Sequence, residues 1–317
     1  MTIRIVRLNF LSPVHFGSGR LSSGDFTCDA AAIYSALFIE ALRLGKAEEL
    51  QDSVITGNLQ ISDAFPFIGE SLYLPKSAIA MQRNDSTSRN PNQQDYREKK
   101  AYKNLSHIRT SSYTSYLSGD FNPLDEYHTF RLLGRSSMST KVNLTREYKD
   151  EADPYAVGAY TFSDNAGLYF IVEGSYDLSD LLDSLQYAGL GGKRTTGYGR
   201  FNFSIEEVDP RNEVKRGMAD MFTDCQPFGN LLLSSAVPRP DELCDALLAG
   251  ARYVLKRKGG FVQSASHQGT PQKKREKYVF VPGAVFEKVF EGDVFDVAPK
   301  SVGHPVYRYA KAMWMEM

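Results

Sequence analysis

Residues Gly189–Phe201 read GLGGKRTTGYGRF: five glycines, three cations, two threonines and two aromatics. Before this stretch, Leu181, Leu182, Leu185 and Tyr187 fall at helical spacing, with Asp177 or Ser179 able to cap the helix. After it, Gly199–Val208 alternates as a strand does. A helix returning to a sheet through such a loop belongs to a mixed α+β layer. Glycine permits φ > 0 and lets another backbone come close. Lys193, Arg194 and Arg200 supply positive charge, while Thr195, Thr196 and backbone N–H groups supply donors. That set suits a sugar–phosphate chain, because most protein–nucleic acid hydrogen bonds go to phosphate and sugar. On composition alone it is equally a plain turn or a cradle for another anion. Two phosphate motifs are excluded. Lys193 is followed by Arg194 and lacks the glycine spacing of a P-loop, and a dinucleotide fingerprint needs strand before helix, the reverse of the order here.

The chain has 317 residues, 42% hydrophobic and 12% aromatic, enough for a packed core and consistent with two domains. Its net charge of −1 means that any basic surface is local. Cys28, Cys225 and Cys244 are few, odd in number and far apart, which argues against a disulfide framework or a thiolate zinc site. No metal or cofactor is expected. With no signal-like N-terminus and no long apolar run, the expectation is a soluble protein in a reducing cytoplasm, without membrane contact.

Ile3–Phe10 reads as a strand, Leu11–Leu21 as a loop carrying His15 and Arg20, and Ala30–Leu44 as a helix capped by Asp29 and ended by Gly45. Phe65–Lys76 predicts a turn and short strand. Met81–Asp120 is polar and basic, either an exposed arm or helical insertion or a solvated loop. Tyr127–Arg135, Ser139–Arg146 and Val157–Phe162 alternate like strands. Arg131, Arg135, Lys141 and Arg146 are interleaved there, which suits backbone contact and base stacking or a charged outer sheet face. Gly167–Glu173 is the best buried strand.

A second round follows. It comprises a strand at Asn230–Ala236, a helix opened by Pro240 and Asp241 and closed by Gly250, and short strands at Arg252–Lys256 and Phe261–Ser264. Strands at Tyr278–Val281 and Val285–Val297 come next, with a last strand from His304. A charged connector at Asp209–Asp224 separates the rounds. The expected fold is two tandem ferredoxin-like domains of RNA-recognition type. They span 1–215, with an insertion at about 80–135 and a glycine loop at 189–199, and 216–317.

The segments SPVHFGSG (12–19), FPFIG (65–69), LYLPK (72–76) and the glycine loop together resemble the RAMP superfamily of CRISPR-associated proteins. Within it, the chain is most similar to the fourth Csm subunit family of type III-A effector complexes, over most of its length. The resemblance implies two RAMP-type halves with a thumb-like hairpin or insertion from the first, here assigned to Met81–Leu133. It implies a non-catalytic subunit that holds the 5′ handle of the crRNA. As part of a hetero-oligomer, that subunit joins the large polymerase/cyclase-like subunit to the backbone subunit.

On that reading the RNA-binding residues are His15, Ser18, Arg20, Arg135, Lys141, Gly191, Gly192, Lys193, Arg194, Thr195, Thr196, Gly197, Tyr198 and Arg200. The cations meet phosphates, the threonines and loop N–H groups meet phosphate or sugar, and Tyr198 stacks. The alternative is a metal-independent endoribonuclease that processes precursor crRNA. There His15, His107 or His128 would deprotonate a 2′-OH and Lys193 would stabilise the charged phosphate.

Overall fold

The computed structural model describes residues 2–17, 19–79, 93–143, 153–208, 229–262 and 272–317. Ser18, Arg146, the connector 209–224, Cys225 and the start of the insertion, 81–92, lie outside the described residues.

In chain order the first half runs β1 (Ile3–Phe10), β2 (Phe16–Gly17), β3 (Gly24–Asp25), α1 (Ala30–Leu44), α2 (Ala47–Ile55), β4 (Gln60–Ile61), β5 (Phe65–Ile68) and β6 (Ser71–Pro75). Then come α3 (Gln93–Asn104), β7 (His107–Arg109), α4 (Tyr113–Ser118), α5 (Pro123–Phe130), β8 (Gly134–Asn143), β9 (Asp153–Phe162), β10 (Ala166–Glu173), α6 (Ser179–Ala188) and β11 (Phe201–Glu207). The second half holds β12 (Asn230–Leu232), α7 (Asp245–Leu248), β13 (Leu255–Lys258), β14 (Lys277–Phe280), β15 (Val285–Phe286), β16 (Gly292–Asp296), β17 (Tyr307–Lys311) and β18 (Trp314–Glu316).

The main sheet has the order β11-β1-β10-β5-β6-β7, and β4 also pairs with β10. β1 lies between β11 and β10, antiparallel to β10 through Ile5↔Ile171 and to β11 through Phe10↔Phe201. Helix α1 starts as expected: the Asp29 carboxylate accepts from the Ala32 N–H, and Gly45 ends the helix at φ 71°. The β1–α1–β5 and β10–α6–β11 units give a split βαβ layer.

Part of the expected insertion is built into the core. Ile108, Tyr113 and Tyr116 are fully buried, and the two tyrosine hydroxyls donate to the carbonyls of Pro75 and Ser77.

Three expectations are corrected. Most of Tyr127–Arg135 is not a strand; helix α5 runs to Phe130, a 3-10 turn covers Arg131–Leu133, and β8 begins only at Gly134. The Asn122 side chain accepts from the Leu124 and Asp125 N–H groups, Pro123 opens the helix, and Asp125 and Glu126 sit in its first turn. Those start signals outweigh the alternation. The helix expected from Pro240 shrinks to α7, because Glu242 is engaged elsewhere: its carboxylate accepts from the N–H groups of Arg239, Glu291 and Gly292. Val285–Val297 splits into β15 and β16, with Gly292 at φ 67° opening the second strand.

The second half is built on β15-β12-β18 and on two ribbons, β13-β14 and β16-β17. Its Leu231, Leu233, Tyr309 and Met315 join the core of the first half. Polar contacts bind the halves as well. Asp63 accepts from the Ala30 and Ser235 N–H groups and from the Ser235 hydroxyl. The Lys311 ammonium donates to the Val54 carbonyl near the end of α2, where the helix dipole favours a cation.

Candidate nucleic-acid interface

The glycine loop is a folded unit. Its mouth closes where the Leu190 N–H donates to the Gly199 carbonyl at 2.9 Å. At its tip, Lys193 takes a left-handed φ of 59° and Arg194–Thr196 form one 3-10 turn ended by Gly197. The Thr196 N–H and hydroxyl both donate to the Lys193 carbonyl. Thr195, Thr196, Gly197 and Arg200 are exposed, and Leu190 is buried as the anchor.

The 11–25 segment lies directly against this loop. The Gly199 N–H donates to the Pro13 carbonyl, the Gly192 N–H to the His15 carbonyl, and the Arg200 N–H to the Ser12 hydroxyl. The glycines are required by this approach. A Cβ at Gly199 would lie 2.1 Å from the Leu190 carbonyl oxygen, and one at Gly192 would lie 2.7 Å from the His15 ring.

The β8–β9 hairpin forms the third wall. Val14 and Tyr160 exchange both backbone hydrogen bonds, and the Gly158 N–H donates to the Leu21 carbonyl. His15 is 7% exposed. Its Nδ1 lies 2.7 Å from the Gly158 carbonyl, which can only accept, so Nδ1 carries the proton. His15 is therefore a strut between the 11–25 segment and the hairpin, with its carbonyl held by the loop.

Cross-strand partners Lys141 and Tyr155 then meet the loop reciprocally. The Lys141 ammonium stands 4.7 Å from the Tyr198 ring centroid, and the Lys193 ammonium 4.7 Å from that of Tyr155. Two cations and two aromatic faces alternate along one seam, each contact worth about 0.5–1 kcal/mol at an accessible site.

Of the residues expected to bind RNA, the structure brings together His15, Lys141, Gly191, Gly192, Lys193, Arg194, Thr195, Thr196, Gly197, Tyr198 and Arg200. Arg20 is exposed in the adjoining segment, where its carbonyl accepts from the Ser23 N–H and hydroxyl. Arg135 is exposed on the same hairpin face as Lys141 but six residues away, roughly 20 Å along the strand. Tyr155 and Gly158 were missed. Gly158 falls in the expected strand Val157–Phe162 and Tyr155 just before it, and nothing local signals which loop they will touch.

Of the three candidate bases for the nuclease reading, His15 alone lies at the glycine loop, with its Nδ1 engaged by the Gly158 carbonyl. His107 is in β7, at the sheet edge opposite β11, roughly 20–25 Å across the strands from the loop's exit. Burial pulls its pKa down to about 3, and its ring stacks on Phe130. His128 lies in α5, which packs on α3. Among the described residues, no group of three or more His, Cys, Asp or Glu is placed to hold a metal ion, and no helix is long and apolar enough to cross a membrane.

Comparison with known proteins places this geometry in a family. The profile of the CRISPR Csm4 C-terminal domain matches residues 228–317. The chain is similar to the CRISPR system Cms protein Csm4 of Mycobacterium tuberculosis (strain ATCC 25618 / H37Rv). The two are 33% identical over 323 residues, covering 100% of this chain and 98% of that protein. It is 30% identical over 319 residues to the protein of the same name from Streptococcus thermophilus, covering 100% and 99%. Its fold matches a chain of the crystal structure of a Csm3–Csm4 subcomplex from the type III-A CRISPR-Cas interference complex. There the TM-score is 0.62 at 16% identity, over 100% of this chain and 99% of that one. A chain of a Csm1–Csm4 cassette in complex with pppApA matches with TM-score 0.57 at 14% identity, over 100% and 98%. Full-length similarity at this level, with the mixed α+β fold, makes the chain a member of the Csm4 family of CRISPR type III-A proteins.

Proposed function

We propose that this chain is a non-catalytic RNA-binding subunit of a cytoplasmic type III-A interference complex, and that it holds the crRNA 5′ handle on its glycine loop. The observation that carries this reading is the seam of Lys141, Tyr198, Lys193 and Tyr155 at the loop. Ammonium groups resting on rings remain able to turn toward a phosphate. Half-buried Tyr198 presents a ring beside exposed Thr195 and Thr196. Cations with interleaved aromatics suit single-stranded RNA, where stacking on an aromatic is worth about 1–3 kcal/mol per base. Arg20 and Arg135 extend the footprint, and His15 acts through the shape it gives the loop.

Related structures pair Csm4 with Csm3 and with Csm1, and the same two partners, a backbone and a large subunit, are assigned to this chain. The second half is read as a reduced second ferredoxin-like layer. The thumb comprises the insertion at about 80–135, with the β8–β9 hairpin beside it.

The test is Lys193→Ala with Arg194→Ala in the assembled complex, measuring handle-RNA retention across a salt series. Retention should fall and its salt dependence should flatten, since the slope of log affinity against log salt concentration is about 0.7 per phosphate contact on a single strand. Unchanged retention at every salt concentration would reject the assignment.

A further inference from the structure

The second half carries a charge that neither the core nor the glycine loop explains. Residues 252–262 and 272–280, which contain the β13–β14 ribbon, hold eight lysines and arginines against one acid, Glu276. The whole chain has 37 basic and 38 acidic residues, so this is a local concentration.

The ribbon's own stability does not account for it. Lys258 and Lys277 are direct cross-strand partners, an arrangement that disfavours pairing. Burial and the nearby Arg308 guanidinium pull the Lys274 ammonium below the ordinary lysine range. Two of the eight charges have structural partners: Lys258 pairs with Asp29 and Arg275 with Asp296. Arg308, outside the ribbon, donates to the Lys258 and Gly259 carbonyls and so holds the ribbon's root. Lys256, Arg257 and Lys273 remain exposed, Arg257 sharing only the equally exposed Glu276 at 3.4 Å.

Exposed aromatics lie among these cations. Tyr278, the cross-strand partner of Arg257, is 63% exposed, and Phe261, bridged to Lys273, is 58% exposed. An acidic protein surface would be served by cations alone, whereas accessible rings between cations suit unpaired bases on a phosphate chain.

Position adds to this. Asp29, which holds the ribbon root through Lys258, follows four residues after Asp25, and Phe16, the partner of Asp25, has its ring against Gly191 of the glycine loop. The ribbon root and the glycine loop therefore belong to the same end of the molecule. From these observations we infer that the β13–β14 ribbon is a second contact for single-stranded nucleic acid, with Lys256, Arg257 and Lys273 on phosphates and Tyr278 and Phe261 on bases. This contact stands whether or not the glycine loop holds the handle.

The experiment measures binding of the full chain to a mixed-sequence 20-nucleotide RNA by fluorescence anisotropy over a salt series, with DNA of the same sequence and duplex RNA as further arms. Lys256→Gln, Arg257→Gln and Lys273→Gln together should weaken single-strand binding at least about tenfold at low salt. They should also lower the salt slope by about 2, at about 0.7 per lost phosphate contact. Tyr278→Ala should weaken binding about tenfold with the slope unchanged, and duplex RNA should be insensitive to it. Equal losses on RNA and DNA, or losses confined to RNA, both support a single-strand contact.

Lys193→Ala with Arg194→Ala serves as the separate glycine-loop arm. Losses only in that arm overturn the ribbon while leaving the loop reading intact, and losses only in the ribbon variants do the reverse. A ribbon variant that binds RNA as wild type does, but no longer joins its partner subunits, makes the patch a protein-docking face and overturns the inference. If the triple variant melts early, Lys256→Gln alone decides: an unchanged salt slope overturns the assignment.

Discussion

Gly197 and Gly199 both have left-handed backbones, at φ 87° and 76°, yet they do different things. A Cβ at Gly197 meets nothing within 4 Å, while one at Gly199 would lie 2.1 Å from the Leu190 carbonyl oxygen. Gly197→Ala should therefore cost only the left-handed penalty, about 1–2 kcal/mol. Gly199→Ala should cost clearly more, because the mouth of the loop must open. Denaturant titration of both variants checks the order, and equal losses would contradict it. His15 shows what a residue-level reading can and cannot find. The sequence marks it as the one histidine beside the first strand, but not as buried. Its burial comes from Gly158, 143 positions away, which has no sequence signature as the acceptor. His15→Ala leaves that carbonyl unpaired in a buried site and should destabilise the protein by about 1–3 kcal/mol. His15→Asn, which keeps an N–H near the Nδ1 position, should recover part of the loss. If both variants melt alike, the strut assignment fails.

Among the elements, those with start and stop chemistry in the chain were legible: α1 with Asp29 and Gly45, the apolar run of β10, and the helix–loop–strand order around the glycines. Elements misread were those where two local signals conflict, as at α5, where alternation competes with an Asn–Pro start. The β8 and β9 strands were visible singly, but their docking on the glycine loop was not, since pairing Lys141 with Tyr198 depends on tertiary position. That docking predicts energetic coupling. In a double-mutant cycle of Lys141→Ala and Tyr198→Ala, the interaction energy should be about 0.5–1 kcal/mol. Lys141→Ala with Tyr187→Ala should be additive, because the Lys141 ammonium lies over Tyr198, whereas exposed Tyr187 precedes the loop in α6. Stabilities from chemical denaturation give both cycles, and additivity in the first would mean that the hairpin does not brace the loop.

At the scale of the molecule, the two halves are joined through Asp63, whose carboxylate is buried beside Asp29. Burial, followed by repulsion from Asp29, pushes the Asp63 pKa up to about 7, despite opposing hydrogen bonds from Ala30 and Ser235. An unfolded aspartate titrates near 3.9, about three units lower. Between those values the folded protein binds more protons than the unfolded chain, so Asp63 makes stability fall as pH rises from about 4 to 7, with little effect outside that window. Asp29 behaves oppositely. Burial alone would raise its pKa, but Lys258, the Ala32 N–H and Arg308 hold it below the usual value, so the stability it adds is lost only below about pH 4. The two effects therefore separate on the pH axis. Asp63→Asn keeps an acceptor for the Ala30 and Ser235 N–H groups, can donate to the Ser235 hydroxyl, and is neutral throughout. Relative to this variant, the wild type should lose several degrees of melting temperature between pH 5 and 8, at about 1.4 kcal/mol per pKa unit. Thermal melts of both proteins at half-unit intervals measure the difference, and parallel curves would show that Asp63 stays ionised in the junction at every pH tested.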